Sequence, residues 1–219
     1  MTARPTARPA ARPTPRPTSR TPDTTTPPPA PDARHPAAAL IRRRLPTLLA
    51  VAVWILNLVV SGSQDVTDAV DGFGEVLPLL PLIYVIVHQL GTPRATWPVL
   101  GAGVVAIFVL PLQDAVAPST VLVALALAVL VWGALRGTPH DGRTGLGIQA
   151  AGTLVFAGLA LAGLAVDPDL GRYFVAAGWF FHGGWDFVHL RRDQVVSRTF
   201  AEWCGVVDVL VAAQLLFLV

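Results

Sequence analysis

Residues 115–135 read AVAPSTVLVALALAVLVWGAL, twenty-one positions without one charge. A helix crossing about 30 Å of hydrocarbon needs about 20 mostly apolar residues, with roughly 17 as the lower end. This stretch is therefore long enough to cross a bilayer alone. Similar segments lie on both sides of it, at 45–61, 76–90, 97–112, 146–166, 170–190 and 200–219. Short polar connections separate them, among them GTPRAT (91–96), RGTPHDGRTG (136–145) and LRRDQVVSR (190–198), which carry turn residues and charge. Pro78, Pro81 and Pro111 lie within or beside the second and third segments, where proline kinks or ends a helix.

Composition agrees. Of 219 residues, 53% are hydrophobic and 14% charged, against about 25% charged in an ordinary soluble domain. The expectation is an all-α, polytopic membrane bundle of seven transmembrane helices over residues 41–219, in one domain. No duplication into two similar halves is visible, and an odd count argues against a simple inverted repeat.

Arginine placement orients the bundle, because basic loops stay in the cytoplasm. All sixteen basic residues are arginine. With the amino end inside, Arg42, Arg43, Arg44, Arg94, Arg136, Arg143, Arg191, Arg192 and Arg198 fall on cytoplasmic flanks, and Arg172 alone falls outside. Asp65, Asp68, Asp71, Glu75, Asp114, Asp167 and Asp169 fall outside as well. The location expected from this is the inner membrane of a bacterium, one of high genomic GC content given arginine in place of lysine. A rival reading takes Arg42–Arg44, the apolar run and Ser61-Gly62-Ser63 as a cleaved signal peptide; a leader of more than forty residues argues against it.

Residues 1–40 form an Arg/Pro/Thr-rich tail with Arg at 4, 8, 12, 16 and 20. It has almost nothing large and apolar to bury, so disorder is expected. Such an arm can rest on anionic lipid. It has no aromatic ring for a base to stack on, so no nucleic-acid partner is expected; the partner is the lipid bilayer.

Several activities are excluded. Cys204 is the one cysteine, which rules out an intramolecular disulfide, a CxxC pair and a Cys-only zinc site. The absence of lysine rules out a retinal Schiff base, lysine nucleophilic catalysis and a Walker A loop. No GxSxG, HExxH or glycine-rich nucleotide fingerprint occurs.

Chemistry is expected at ionisable groups inside the spans, since these are costly in hydrocarbon and face the bundle interior. The sixth segment contains GWFFHGGWDFVHL, with His182, Asp186 and His189 four and three residues apart. These positions share one helix face, within about 60° of arc. The seventh segment adds Asp208, with Cys204 one turn before it on the same face. Measured from their common loop, His182 and Asp208 both sit about 12 Å deep, in the cytoplasmic half. Antiparallel neighbours joined by a short loop normally touch.

Three roles are open to His182, Asp186, His189 and Asp208. They could ligate zinc or another divalent metal and activate a water. They could pass protons along an imidazole and carboxylate ladder. They could hydrogen-bond across helices and hold the bundle together. Asn57 and Gln149, single polar residues in spans, read as interhelical hydrogen bonders. The acidic run 65–75 reads as a solvated external loop, and Trp97, Trp179 and Trp203 read as interfacial anchors.

The string His182-x-x-Trp185-Asp186-x-x-His189, followed by Cys204 and Asp208, resembles an uncharacterised family of small bacterial multi-pass membrane proteins. Its members end in H-x-x-W-D-x-x-H and then a helix with C-x-x-x-D. The resemblance covers residues 175–215 and implies a membrane protein of undetermined activity; Leu190 stands where members carry a further His. A looser likeness is to the seven-span hydrolases related to alkaline ceramidases and adiponectin receptors, which bind zinc through His and Asp; their HxxxH helix is absent here. The functional readings are thus an accessory membrane protein of unassigned activity, a metal-dependent hydrolase of lipid-like substrates, or a proton-coupled transporter.

Overall fold

The computed structural model describes residues 41, 44–62, 64–113, 116–136 and 142–219. The tail, Arg42, Arg43, Asp114, His140 and Asp141 lie outside the described residues, as do the side chains of Gln113 and Arg143. The described chain is helical, with no strand among the described residues. We number the helices α1 (Leu45–Ser61), α2 (Val66–Val76), α3 (Leu79–Leu90), α4 (Thr96–Val109), α5 (Pro118–Arg136), α6 (Gly142–Ala165), α7 (Pro168–Arg192) and α8 (Arg198–Phe217).

Proline and capping residues set most boundaries. Pro46, Pro118 and Pro168 stand at the starts of α1, α5 and α7, where a missing N–H costs nothing. Asp167 caps α7 by accepting the Asp169 N–H at 3.0 Å. Gly62 ends α1 at φ 61° and Gly91 ends α3 at φ 63°, a left-handed backbone that glycine adopts without a Cβ penalty.

The acidic run departs from the loop expected of it. Asp65 accepts the Asp68 N–H at 2.9 Å and starts α2, a side-chain cap that offsets the orphan donors of a first turn. Ala69, Val70 and Gly74 turn inward while Asp68 and Asp71 remain exposed. Glu75 Oε2 accepts the Ser119 N–H at 2.5 Å, so one helix caps the start of another. The break between α2 and α3 falls at Leu77-Pro78, with Pro81 in the first turn of α3, where proline interrupts no ladder bond.

Among the described residues five helical segments are long and apolar enough to cross a membrane: Val66–Leu90, Pro93–Leu112, Pro118–Arg136, Gly145–Ala165 and Arg198–Phe217. The first includes the α2–α3 break and begins ten residues before the segment read from the sequence. Helix α1 is apolar but only 17 residues long. Helix α7 has 25 residues, yet His182, Asp186, His189 and four terminal charges dilute its apolar character. Large apolar side chains such as Val59, Val60, Phe108 and Leu135 point outward. That surface fits a lipid solvent better than water.

Helix α3 is the interior element. Ten of the twelve residues of α3 are buried, and α7 packs against α8, α6 and α2. Helix α1 packs on α8, where Trp54 Nε1 donates to Gln214 Oε1 at 3.0 Å and Thr47 Oγ1 donates to Glu202 Oε1 at 2.5 Å. Trp179, expected at the interface, is instead buried and donates to the Phe73 carbonyl at 3.1 Å. Asn57 Oδ1 has no hydrogen-bond partner among the described residues, contrary to the interhelical role expected of it.

The α7–α8 contact depends on two glycines. A Cβ at Gly183 would lie 3.2 Å from both the Gly205 carbonyl oxygen and Asp208 Cβ; one at Gly205 would lie 3.1 Å from the Phe187 ring and 3.2 Å from Asp186 Cβ. Gly184, its neighbour, faces open space. Replacing Gly205 by Val is expected to cost about 1–3 kcal/mol through overpacking, whereas Gly184→Ala should gain about 0.5–1 kcal/mol from reduced backbone freedom. Equilibrium unfolding in detergent checks both signs.

Candidate metal centre

Helical spacing turns His182 and Asp186 of α7, and Cys204 and Asp208 of α8, to a common side, and the glycine contact brings the two pairs together. Potential ligand atoms from all four residues lie within 4.8 Å of one another. His182 Nδ1 lies 2.8 Å from Asp208 Oδ2 and 3.4 Å from Asp186 Oδ2. With Asp208 ionised, the ring nitrogen donates and the carboxylate accepts. The Cys204 thiol donates to Asp208 Oδ1 at 3.8 Å. His182, Asp186 and Asp208 are 0% exposed and Cys204 is 1% exposed.

Tyr84 closes the group from α3. Its hydroxyl donates to Asp186 Oδ1, fixing that carboxylate so that Oδ2 turns toward His182. Among the described residues Asp186 Oδ2 has no hydrogen-bond partner, and neither has His182 Nε2. The imidazole lies edge-on to Phe156, with ring centroids 4.9 Å apart, so its far side is walled by an aromatic ring. Buried polar atoms left without partners cost free energy, and the group is rich in acceptors but poor in protons to share among them.

Of the four residues singled out as candidates, the structure brings His182, Asp186 and Asp208 together. His189 is placed differently. Its Nδ1 lies 2.9 Å from the Trp185 carbonyl oxygen, and its ring packs against Tyr84 at 4.8 Å and Trp185 at 4.9 Å. Cys204 takes its place in the cluster. Tyr84 had no signal in the sequence: it lies in an apolar helix 102 residues away, and only tertiary packing sets it beside Asp186.

The donor set suits a borderline divalent ion. Tetrahedral zinc binds imidazole nitrogen and carboxylate oxygen near 2.0–2.2 Å and thiolate near 2.3 Å, which puts neighbouring ligand atoms roughly 3.3–3.7 Å apart. The two carboxylate oxygens beside His182 Nδ1, at 2.8 and 3.4 Å, need little movement to reach that spacing. The thiol and one oxygen from each carboxylate complete four ligands. Calcium and magnesium, which take six or more oxygens, fit poorly.

Comparison with protein families, curated proteins and solved structures gives no match.

In metal-free protein, His182→Ala leaves two carboxylates facing each other without their imidazole. The expected loss is about 3–5 kcal/mol, as for other buried charges stripped of a partner. Tyr84→Phe removes one bond to a carboxylate and should cost about 1.5–3 kcal/mol. Denaturant titration in detergent with a chelator present should give this order; equal losses would show that the hydroxyl and imidazole support the carboxylates alike.

Proposed function

We propose that this chain is a seven-span membrane protein, amino end in the cytoplasm, that holds one divalent metal ion of the zinc class in a closed site between its last two spans. The observation that carries the reading is the convergence of His182, Asp186, Cys204 and Asp208 within 4.8 Å, all buried. Four protein donors with no position left to water are the hallmark of sites where metal adds stability, whereas catalytic zinc keeps a place open. The ion ties α7 to α8 and accepts the electron pairs that the protein's own donors leave unmatched. Tyr84 orients one ligand from outside the set, as metal-bound carboxylates generally require.

Hydrolase and transport readings both need a path for substrate or water to these side chains, and their burial argues against both. The span count follows from treating α2–α3 as one crossing and adding α1 and α7 to the other four. The bacterial inner membrane follows from the arginine distribution. The string His182-x-x-Trp185-Asp186-x-x-His189 with Cys204 and Asp208, which resembles the ending of small bacterial multi-pass membrane proteins, contains every proposed ligand.

The full chain purified in detergent should contain one zinc-class ion per molecule by elemental analysis, and His182→Ala should lose it. Cobalt replacement supplies the decisive readout. The wild-type cobalt form should show a sulfur-to-cobalt charge-transfer band and tetrahedral ligand-field absorption; Cys204→Ser should lose the first and retain the second. A wild-type chain that binds neither ion would overturn the metal reading and leave the cluster as interhelical hydrogen bonding. For orientation, Gln194→Cys should react with impermeant thiol reagents only from the cytoplasmic side and Asp169→Cys only from the outer side.

A further inference from the structure

A cavity of about 800 Å³ lies where the start of α1 meets the α7–α8 hairpin. Its size falls within the range of roughly 300–1,000 Å³ usual for small-ligand pockets. Arg44 just before α1, Thr47 of α1, Phe187 and Leu190 of α7, and Arg198 and Glu202 of α8 line it. Charged groups and aliphatic or aromatic walls thus meet in one groove at the polar end of three apolar helices. Leu45 of α1 and Val206 of α8 add to its apolar lining.

The charges are arranged by sign. Arg44 has no ion-pair partner among the described residues, and Arg198 is held by the Leu190 carbonyl at 3.2 Å and by Asp193 at 3.7 Å. Glu202 accepts from Thr47 through Oε1, and Oε2 makes no hydrogen bond among the described residues. Two guanidinium groups therefore stand beside one carboxylate with an accepting oxygen to spare. With Asp193 beside Arg198, these four charges sum to zero, and Arg44 and Glu202 Oε2 are the two that no described residue answers. A ligand complementary to them carries an anion and a separate cation, with apolar chains attached.

We propose that this groove binds a zwitterionic aminophospholipid, phosphatidylethanolamine in chemical class. The phosphodiester sits against Arg44 and Arg198, whose planar donors suit phosphate oxygens. The primary ammonium donates to Glu202 Oε2, and the acyl chains lie against the apolar lining of Phe187, Leu190 and Val206. Basic pockets between membrane helices are known to take lipid headgroups; the carboxylate makes this one selective for a headgroup that can donate N–H bonds. The assignment does not depend on the metal centre.

The test uses the full chain, delipidated in detergent, with thermal unfolding followed as dioctanoyl phosphatidylethanolamine, phosphatidylcholine or phosphatidylglycerol is added. The ethanolamine lipid should raise the midpoint saturably and at lower concentration than the other two. Arg44→Gln should weaken its apparent affinity about tenfold, the loss of one charge-assisted phosphate contact. Glu202→Gln keeps an oxygen for Thr47 but removes the charge; its ethanolamine and choline curves should coincide. Equal midpoint shifts for all three lipids in the wild type would overturn the proposal, as would a preference for phosphatidylglycerol, which would mark a purely anionic site. An ethanolamine preference surviving in Glu202→Gln would overturn the role of the carboxylate.

Discussion

Two carboxylates inside an apolar bundle are the constraint around which the rest is built. An ionisable group at that depth is expensive unless something answers it, and Asp186 and Asp208 are fully enclosed. Three groups answer them: the His182 imidazole between the two, the Tyr84 hydroxyl on one and the Cys204 thiol on the other. Each belongs to a helix that must then lie where its side chain can reach. The positions of α3, α7 and α8 are fixed relative to one another by this group as much as by apolar contact, which in lipid lacks the driving force it has in water.

The glycines make that geometry attainable. At Gly183 and Gly205 the two last helices approach so closely that a methyl group would press on the opposite backbone or on the Asp186 and Asp208 stems. Close approach keeps the carboxylates within reach of one imidazole. A wider crossing would separate them and leave each with a fraction of its partners. The buried polar residues and glycines of α7 fall on the side that meets α2, α6 and α8, whereas Tyr173, Phe180 and Phe181 face outward.

Much of this was legible from spacing. His182 and Asp186 are four residues apart, as are Cys204 and Asp208, and that places each pair on one helical face before any tertiary information. Helix boundaries were close for α5, α7 and α8 because proline, aspartate and arginine mark them. The reading failed where local and tertiary signals compete. Asp65 and Asp68 look like solvated loop residues by charge, yet their three-residue spacing is also that of a helix cap, and burial of Ala69, Val70 and Gly74 decides in favour of helix. His189 shares the face of His182 and Asp186, but the Trp185 carbonyl and two aromatic rings hold it. Neither that capture nor the arrival of Tyr84 from α3 has a local pattern to announce it.

The latch between α1 and α8 joins residues far apart in the chain: Trp54 and Gln214 are 160 positions from each other, Thr47 and Glu202 155. At a synthesis rate of about 5–20 residues per second, the earliest helix to leave the ribosome waits roughly 10–30 s for the latest one. During that interval Trp54 and Thr47 are without these partners. Assembly of this bundle therefore finishes by clasping its two ends, and a chain interrupted before α8 would strand its first helix without a berth.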